Sequence, residues 1–249
     1  MAPCPWFPLA ADFCRRHPGV DMGVHLDLTC EWDLYRWGPI STREPGSGLI
    51  DREGYLYRTS EEVQQHGDPK AVSCELQTQV ERALAAGIDV THVDTHMGTV
   101  GHAKFIPAYL QLVFRYRVPA MLPRLDQAAW EARGLDSAAA RMAVEAVNQI
   151  EESGVPLLDG MLGLPLEQPE DRIEQAKRAF DALPPGLTHF IIHPAKDTPE
   201  PRALAETWPA RVADYQAFMS EELRDYVRNS GVQVIGYRAL RELVRKIDA

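Results

Sequence analysis

Residues 91–98 read T-H-V-D-T-H-M-G and follow the mostly apolar residues 88–90. This pattern predicts a buried strand that runs into a loop. His92, Asp94 and His96 occupy alternate positions, and side chains two apart on a strand share one face. Three potential metal ligands or proton carriers therefore lie at the carboxyl end of the strand, where parallel α/β proteins build active sites. The alternative is that they are ordinary buried polar residues with hydrogen-bond partners.

Two more predicted strands bring histidines to the same kind of position. Residues 20–28 alternate between apolar and polar side chains, and the polar face carries His25. Residues 187–193 end in His193. Because strand ends of a barrel converge on one cavity, we expect both histidines to meet the polar face of residues 91–98. For each histidine alone, a structural role is the alternative.

Strands and helices alternate along the whole chain, which is typical of βαβ units and a parallel sheet. The predicted strands are residues 20–28, 88–94, 118–123, 155–159, 187–193 and 232–237. We predict one α/β domain over residues 1–249, an irregular, TIM-barrel-like (β/α) barrel of about seven strands. Six strands preceded by a helix lead us to expect that a first strand lies upstream of Met1 and is missing from this chain.

The composition excludes several classes of partner. A net charge of −10 without a Lys/Arg cluster argues against nucleic acids and anionic membranes. No apolar run approaches the roughly 20 residues of a membrane span, and no signal peptide is visible. The four cysteines are scattered, as expected for reduced thiols. We therefore expect a cytoplasmic protein.

Residues 29–67 show no strong periodicity but are rich in aromatic and turn-forming residues. A long loop after the carboxyl end of a strand is usually functional. Trp32 and Trp37 are candidates for stacking on a sugar face, with His92 as a further candidate for substrate binding. Packing of the tryptophans onto the domain is the alternative.

Two histidines and a carboxylate are the usual protein ligands of a catalytic divalent metal with a position left open for water. Such a site polarises a carbonyl and lowers the pKa of water, as hydrolysis of an amide or ester requires. The sequence has no G-x-S-x-G motif and no Gly-rich phosphate loop after a strand, so serine hydrolase and dinucleotide chemistry lack support. Metal-assisted hydrolysis is the favoured chemistry.

Three segments, G-V-H-L-D-L-T at 23–29, T-H-V-D-T-H-M-G at 91–98 and I-H-P-A at 192–195, match one known family in order and spacing. The chain resembles the YdjC-like carbohydrate deacetylases, which include chitooligosaccharide deacetylases. The first two segments are specific in combination, and the third is weak alone. The resemblance implies an irregular (β/α) barrel that removes acetyl groups from N-acetylated sugars with a divalent ion, Mg²⁺ or Zn²⁺.

By motif position, the resemblance implies that His25 and His96 are metal ligands and that Asp94 lies beside the metal with a catalytic role. It implies that His193 is the acid that protonates the departing amine. The family opens with a strand that ends in Asp-Asp-Phe-Gly and supplies a carboxylate ligand. No segment here matches it, since residues 11–13 lie inside the first predicted helix.

Two other functions stay open. One is another metal-dependent amide hydrolase on the same barrel, acting on a non-sugar amide or a lipid-linked glycan. The other is a catalytically inactive sugar-binding homologue, because the N-terminal Asp pair is absent. The expected partner is a small N-acetylated saccharide, without nucleic acid or membrane, and a homodimer is an open alternative to a monomer.

Overall fold

The computed structural model describes residues 1–132 and 135–246. The chain divides into two compact units. Unit 1 comprises residues 1–31, 36–157 and the segment from 236 onward. Unit 2 comprises residues 32–35 and 158–235.

Within the described ranges the chain forms eleven α-helices and four strands. The helices are α1 Phe7–Arg16, α2 Ser60–His66, α3 Pro69–Ala85, α4 Ile106–Tyr116, α5 Gln127–Glu131, α6 Ser137–Glu152, α7 Arg172–Asp181, α8 Pro199–Leu204, α9 Trp208–Met219, α10 Glu221–Asn229 and α11 Tyr237–Lys246. The strands are β1 Met22–Leu26, β2 Val90–Thr95, β3 Gly160–Gly163 and β4 Thr188–Ile191. None of the helices in this part of the chain combines the length and apolar character needed to span a bilayer.

In unit 1, β1 and β2 pair in parallel, with His25 opposite Asp94. Val24 and Leu26 alternate with His25 and are buried, as the period-two pattern predicts. Because the register is level at the carboxyl ends, the polar residues of both strands emerge side by side.

Helix α3 shows how the sequence sets its own boundaries. Asp68 caps it by accepting hydrogen bonds from two backbone N–H groups of the first turn, and Pro69 starts it. Its apolar face is buried, and Glu75 and Gln79 are buried with it. The chain leaves the helix through Gly87, whose φ of 80° suits a residue without Cβ.

In unit 2, β3 and β4 pair in parallel, and α7, α9 and α10 pack against one another. The stacked rings of Phe180 and Phe190, with centroids 4.8 Å apart, join α7 to β4. One core cluster of this unit is formed by the buried residues Leu164, Ala176, Ala217 and Leu223.

A mixed α/β fold with parallel pairing is confirmed, but several predicted strands differ. The described strands form two separate two-stranded sheets and close no barrel. Residues 118–123 form isolated bridges instead of a strand, among them a parallel bridge between Ala120 and Val93. Residues 155–159 precede β3 instead of forming a strand.

The predicted strand at 232–237 is wrong. Residues 232–236 are irregular, and Tyr237 begins α11. A residue distant in sequence stabilises the start of α11, since Asp21 Oδ2 accepts a hydrogen bond from the backbone N–H of Arg238, 2.7 Å away, in the first turn of this helix. Ser220 ends α9 and caps α10.

Candidate active site

His25, Asp94 and His96 meet at the carboxyl ends of β1 and β2, as predicted from the sequence. His25 Nδ1 lies 3.0 Å from Asp94 Oδ1, directly across the paired strands. His96 follows β2, and its Nδ1 lies 3.2 Å from His25 Nε2. The two rings meet edge to face, with their planes at 71°. The parallel register therefore converts three separate sequence signals into one cluster.

The position of His96 depends on a sharp turn. Met97 and Gly98 both have left-handed backbone angles, with φ of 51° and 70°. A methionine pays a steric cost in this region that glycine does not. Thr95 Oγ1 accepts a hydrogen bond from Val100 N at 3.0 Å, and Ser60 Oγ donates to the carbonyl of Met97 at 3.3 Å. These contacts hold the turn that directs His96 toward His25.

Glu31 is a member of the site that the sequence analysis missed. Its Oε2 lies 3.0 Å from His96 Nε2, and the two residues are 65 positions apart. The only sequence signal is that Glu31 follows the carboxyl end of the strand bearing His25. With Glu31 included, each histidine has one ring nitrogen beside a carboxylate and the other beside the second histidine. The outer nitrogens, beside the carboxylates, are His25 Nδ1 and His96 Nε2. The inner nitrogens, which face each other, are His25 Nε2 and His96 Nδ1.

This arrangement decides the chemistry of the inner nitrogens. A carboxylate accepts hydrogen bonds, so Asp94 favours a proton on His25 Nδ1 and Glu31 favours one on His96 Nε2. If both imidazoles are neutral, His25 Nε2 and His96 Nδ1 present lone pairs to each other at 3.2 Å. That geometry is repulsive unless a proton or a metal cation lies between the nitrogens. The pair is therefore built to hold a positive charge.

The surrounding charges have the sign that favours a cation. Asp27 is fully buried, and it accepts hydrogen bonds from the Trp37 indole at 2.8 Å and from Thr29 N at 3.2 Å. Burial raises the pKa of Asp27, and His96 and the Trp37 donor oppose that rise. Burial by itself lowers the pKa of His96, but the hydrogen bond to Glu31 and the negative charges of Asp27 and Glu31 outweigh it and raise this pKa.

A buried polar network fastens the segment after β1 to α3. The Gln79 side chain pairs with the backbone of Asp27, accepting from its N at 2.9 Å and donating to its O at 2.6 Å. Gln79 also donates to Glu75 Oε1 at 2.8 Å. Glu75 accepts from Ile40 N at 3.0 Å and from Ser41 N at 2.7 Å. Because these hydrogen bonds run from α3 through Gln79 and Glu75 to the backbone of Ile40 and Ser41, the network orders the loop beside the site.

The three predicted sugar-binding residues lie in different surroundings. Trp37 is only 5% exposed, so its burial favours the packing alternative. His92 stacks on Tyr237, with ring centroids 3.9 Å apart. Trp32 belongs to unit 2 and lies beside Tyr35 at 6.4 Å between ring centroids. Sugar binding by any of them stays a prediction.

His193 belongs to unit 2 and lies two residues beyond the end of β4. It is partly buried, and its backbone N donates a hydrogen bond to Asp214 Oδ2 at 2.9 Å. That His193 lies in the same site as His25 and His96 stays a prediction.

The donor set partly fits a divalent ion. Across residues 1–132 and 135–246, no three His, Cys, Asp or Glu side chains are arranged as a metal centre. The 3.2 Å separation of the inner nitrogens nevertheless matches two ligands that share one ion at bond lengths of about 2.0–2.1 Å. A histidine that binds a metal usually donates its other ring N–H to a carboxylate, and the outer nitrogens here lie beside carboxylates. The two imidazoles thus fit as two ligands of one ion.

A family model and individual relatives both match most of this chain. A family model described as YdjC-like protein matches residues 1–229. A carbohydrate deacetylase of Thermus thermophilus is 33% identical over 224 residues, which are 90% of this chain and 79% of the relative. A carbohydrate deacetylase of Thermoanaerobacter pseudethanolicus is 20% identical over 224 residues, again 90% and 79% of the two chains.

One solved structure has the same fold. It is a protein of Enterococcus faecalis V583 described as a cellobiose-phosphate cleavage protein. The match has a TM-score of 0.73 at 20% identity and covers 96% of this chain and 85% of that chain.

Proposed function

We propose that this chain, which belongs to the YdjC-like protein family, is a metal-dependent hydrolase that removes acetyl groups from N-acetylated carbohydrates. The names of its relatives support the deacetylase activity. The observation that carries the metal dependence is the pair of histidine nitrogens facing each other at 3.2 Å, each ring backed by a carboxylate. The irregular (β/α) barrel is part of the same proposal, supported by parallel pairing in both sheets.

His25 Nε2 and His96 Nδ1 would hold the ion. Imidazole is a common ligand for Zn²⁺, whereas Mg²⁺ prefers oxygen, so these two residues favour zinc. A divalent ion supplies Lewis acidity toward a carbonyl oxygen and lowers the pKa of water. Asp94 and Glu31 fix the two imidazoles in the orientation and tautomer that leave the inner nitrogens available.

The remaining steps fall to protein side chains. Asp94, with 18% of its side chain exposed, is the carboxylate beside the proposed metal position and also orients His25. We assign the acid to His193, which would donate a proton to the amine nitrogen as the amide C–N bond breaks. An amine leaves readily only when protonated, so the reaction needs such a donor.

The proposal is tested by acetate release from a panel of N-acetylated mono- and oligosaccharides, with and without a chelator. We expect acetate release that a chelator abolishes and added Zn²⁺ restores. His25→Ala and His96→Ala should each abolish metal-dependent turnover, and His193→Ala should reduce it by roughly 10² to 10⁴, the range for a lost general acid.

Two outcomes would redirect the assignment. Turnover of non-sugar amides, with no acetate from sugars, favours the alternative amide hydrolase. Sugar binding without acetate release in the metal-loaded protein favours the inactive binding homologue. Full turnover in the presence of the chelator overturns the metal dependence.

A further inference from the structure

Unit 2 contains a buried ion pair between α7 and α9. Arg172 Nε donates to Asp214 Oδ1 at 2.6 Å, and the side chains are 3% and 0% exposed. Arg172 Nη1 also donates to the carbonyl oxygens of Pro165 at 2.7 Å and Gln168 at 3.0 Å. The guanidinium is therefore held in one place by several acceptors, and it holds one oxygen of Asp214.

The other oxygen of Asp214 is directed at the segment that carries His193. Asp214 Oδ2 accepts the hydrogen bond of His193 N at 2.9 Å. Two residues further on, Ala195 N donates to the carbonyl oxygen of Arg211, also on α9, at 2.9 Å. Between these anchors lies Pro194, whose ring restricts its own φ. Helix α9 thus fixes the backbone on both sides of this proline, directly after β4.

A buried ion pair is weak evidence for stability, because desolvation offsets much of the attraction between the charges. Its better-attested effect is geometric, since a carboxylate with both oxygens engaged has one orientation. Here one oxygen is engaged by a fixed guanidinium and the other by the backbone of a proposed acid.

We propose that Asp214, held by Arg172, is the positioning residue that sets the place of the His193 imidazole for proton transfer. This inference rests on the proposed function, in which His193 is the acid. A displaced acid lowers the rate of the chemical step more than substrate affinity, because proton transfer depends steeply on distance and direction.

The test is Asp214→Asn in the full chain, assayed for acetate release. An amide of the same shape has one oxygen and one NH₂ group, so it cannot accept from both Arg172 Nε and His193 N. We expect kcat to fall by roughly 10- to 100-fold with little change in KM, as for a displaced catalytic group. The matched control is Ala217→Gly, on the same helix and buried, which weakens α9 without removing the carboxylate.

The control should lower the melting temperature and leave kcat within about threefold of the parent. An equal fall of kcat in Ala217→Gly at equal loss of melting temperature overturns the positioning role. So does a folded Asp214→Asn protein with the parent kcat, provided that His193→Ala is impaired. If His193→Ala itself keeps the parent kcat, the proposed acid fails instead.

A measurement on the unaltered protein covers the case in which Asp214→Asn does not fold. The amide of His193 donates to a fully buried carboxylate, so its hydrogen exchange should be slow, like that of the amides in α9. Exchange at the rate of an exposed loop amide would show that Asp214 does not hold this segment, and the inference would be refuted.

Discussion

Replacing Trp37 by phenylalanine separates a packing role from a sugar-binding role. The indole is 5% exposed, and its Nε1 donates to Asp27 Oδ2 at 2.8 Å. Phenylalanine keeps an aromatic face that could stack on a sugar, but it removes the hydrogen-bond donor. If Trp37 stabilises the buried carboxylate, the substitution lowers stability. If it is a sugar platform, the substitution mainly affects substrate binding.

The magnitude follows from the two contributions that are lost. A hydrogen bond to a charged acceptor contributes about 1.5–3 kcal/mol. The smaller ring leaves a void in a packed site, which adds about 1 kcal/mol. The free energy of unfolding should therefore fall by roughly 2.5–4 kcal/mol, and in a chain of this size each kcal/mol lowers the melting temperature by roughly 2–4 °C. A decrease of roughly 5–15 °C is expected.

Trp130 provides the matched control. It is 3% exposed, and its Nε1 makes no hydrogen bond to any residue in the described part of the chain. Trp130→Phe should therefore lose only packing, or about 1 kcal/mol. Urea unfolding of both variants gives the two free energies, and KM for an N-acetylated oligosaccharide tests the sugar role. Equal stability losses in the two variants, or a raised KM at unchanged stability in Trp37→Phe, would refute the reasoning.

Three further predictions concern the same unit. Gly23→Ala should lower the free energy of unfolding by about 1–3 kcal/mol, because a Cβ at this position overlaps the ring of His92. In urea unfolding, the double variant Gly23→Ala, His92→Ala should recover most of this loss relative to His92→Ala alone. Glu31→Gln should weaken Zn²⁺ binding by roughly 10- to 100-fold in calorimetric titration, and unchanged affinity would contradict the idea that Glu31 orients His96 for the ion. Hydrogen bonds from Arg241 lower the pKa of Asp89, so its stabilisation is present above the ordinary carboxyl pKa and is lost as the pH falls through the lower folded value. Thermal melts from about pH 6 to about pH 2 cover this titration. Between these pH values the Tm of Asp89→Asn should decrease less than the Tm of the parent protein.

The sequence by itself determined the elements that depend on local pattern. Period-two alternation placed His25 on β1 and Asp94 on β2, because alternation reports which side chains share a face. Helix α3 was equally predictable, since its capping aspartate and first proline act within one turn. Convergence of His25, Asp94 and His96 followed from parallel pairing, which aligns carboxyl ends.

The tertiary structure decided which partner each side chain has. Glu31 reaches His96 across 65 positions. Trp37 turns inward to Asp27, where the sequence left both sugar stacking and packing open. No periodic pattern in the sequence predicts either contact, because each depends on how a loop folds back over the strand ends. The tautomers of the histidine pair follow from those contacts and from no local pattern.

The strand wrongly predicted at 232–237 also shows that a local pattern alone does not determine the structure. Its alternating residues satisfy the strand pattern, yet Val234 is 78% exposed, and helix α11 begins at Tyr237. A strand needs a neighbour that supplies its backbone hydrogen bonds, and the carboxylate of Asp21 instead accepts the Arg238 N–H in the first turn of α11. Local periodicity can therefore determine the face a residue occupies, whereas hydrogen-bond partners distant in sequence decide the element and the site that result.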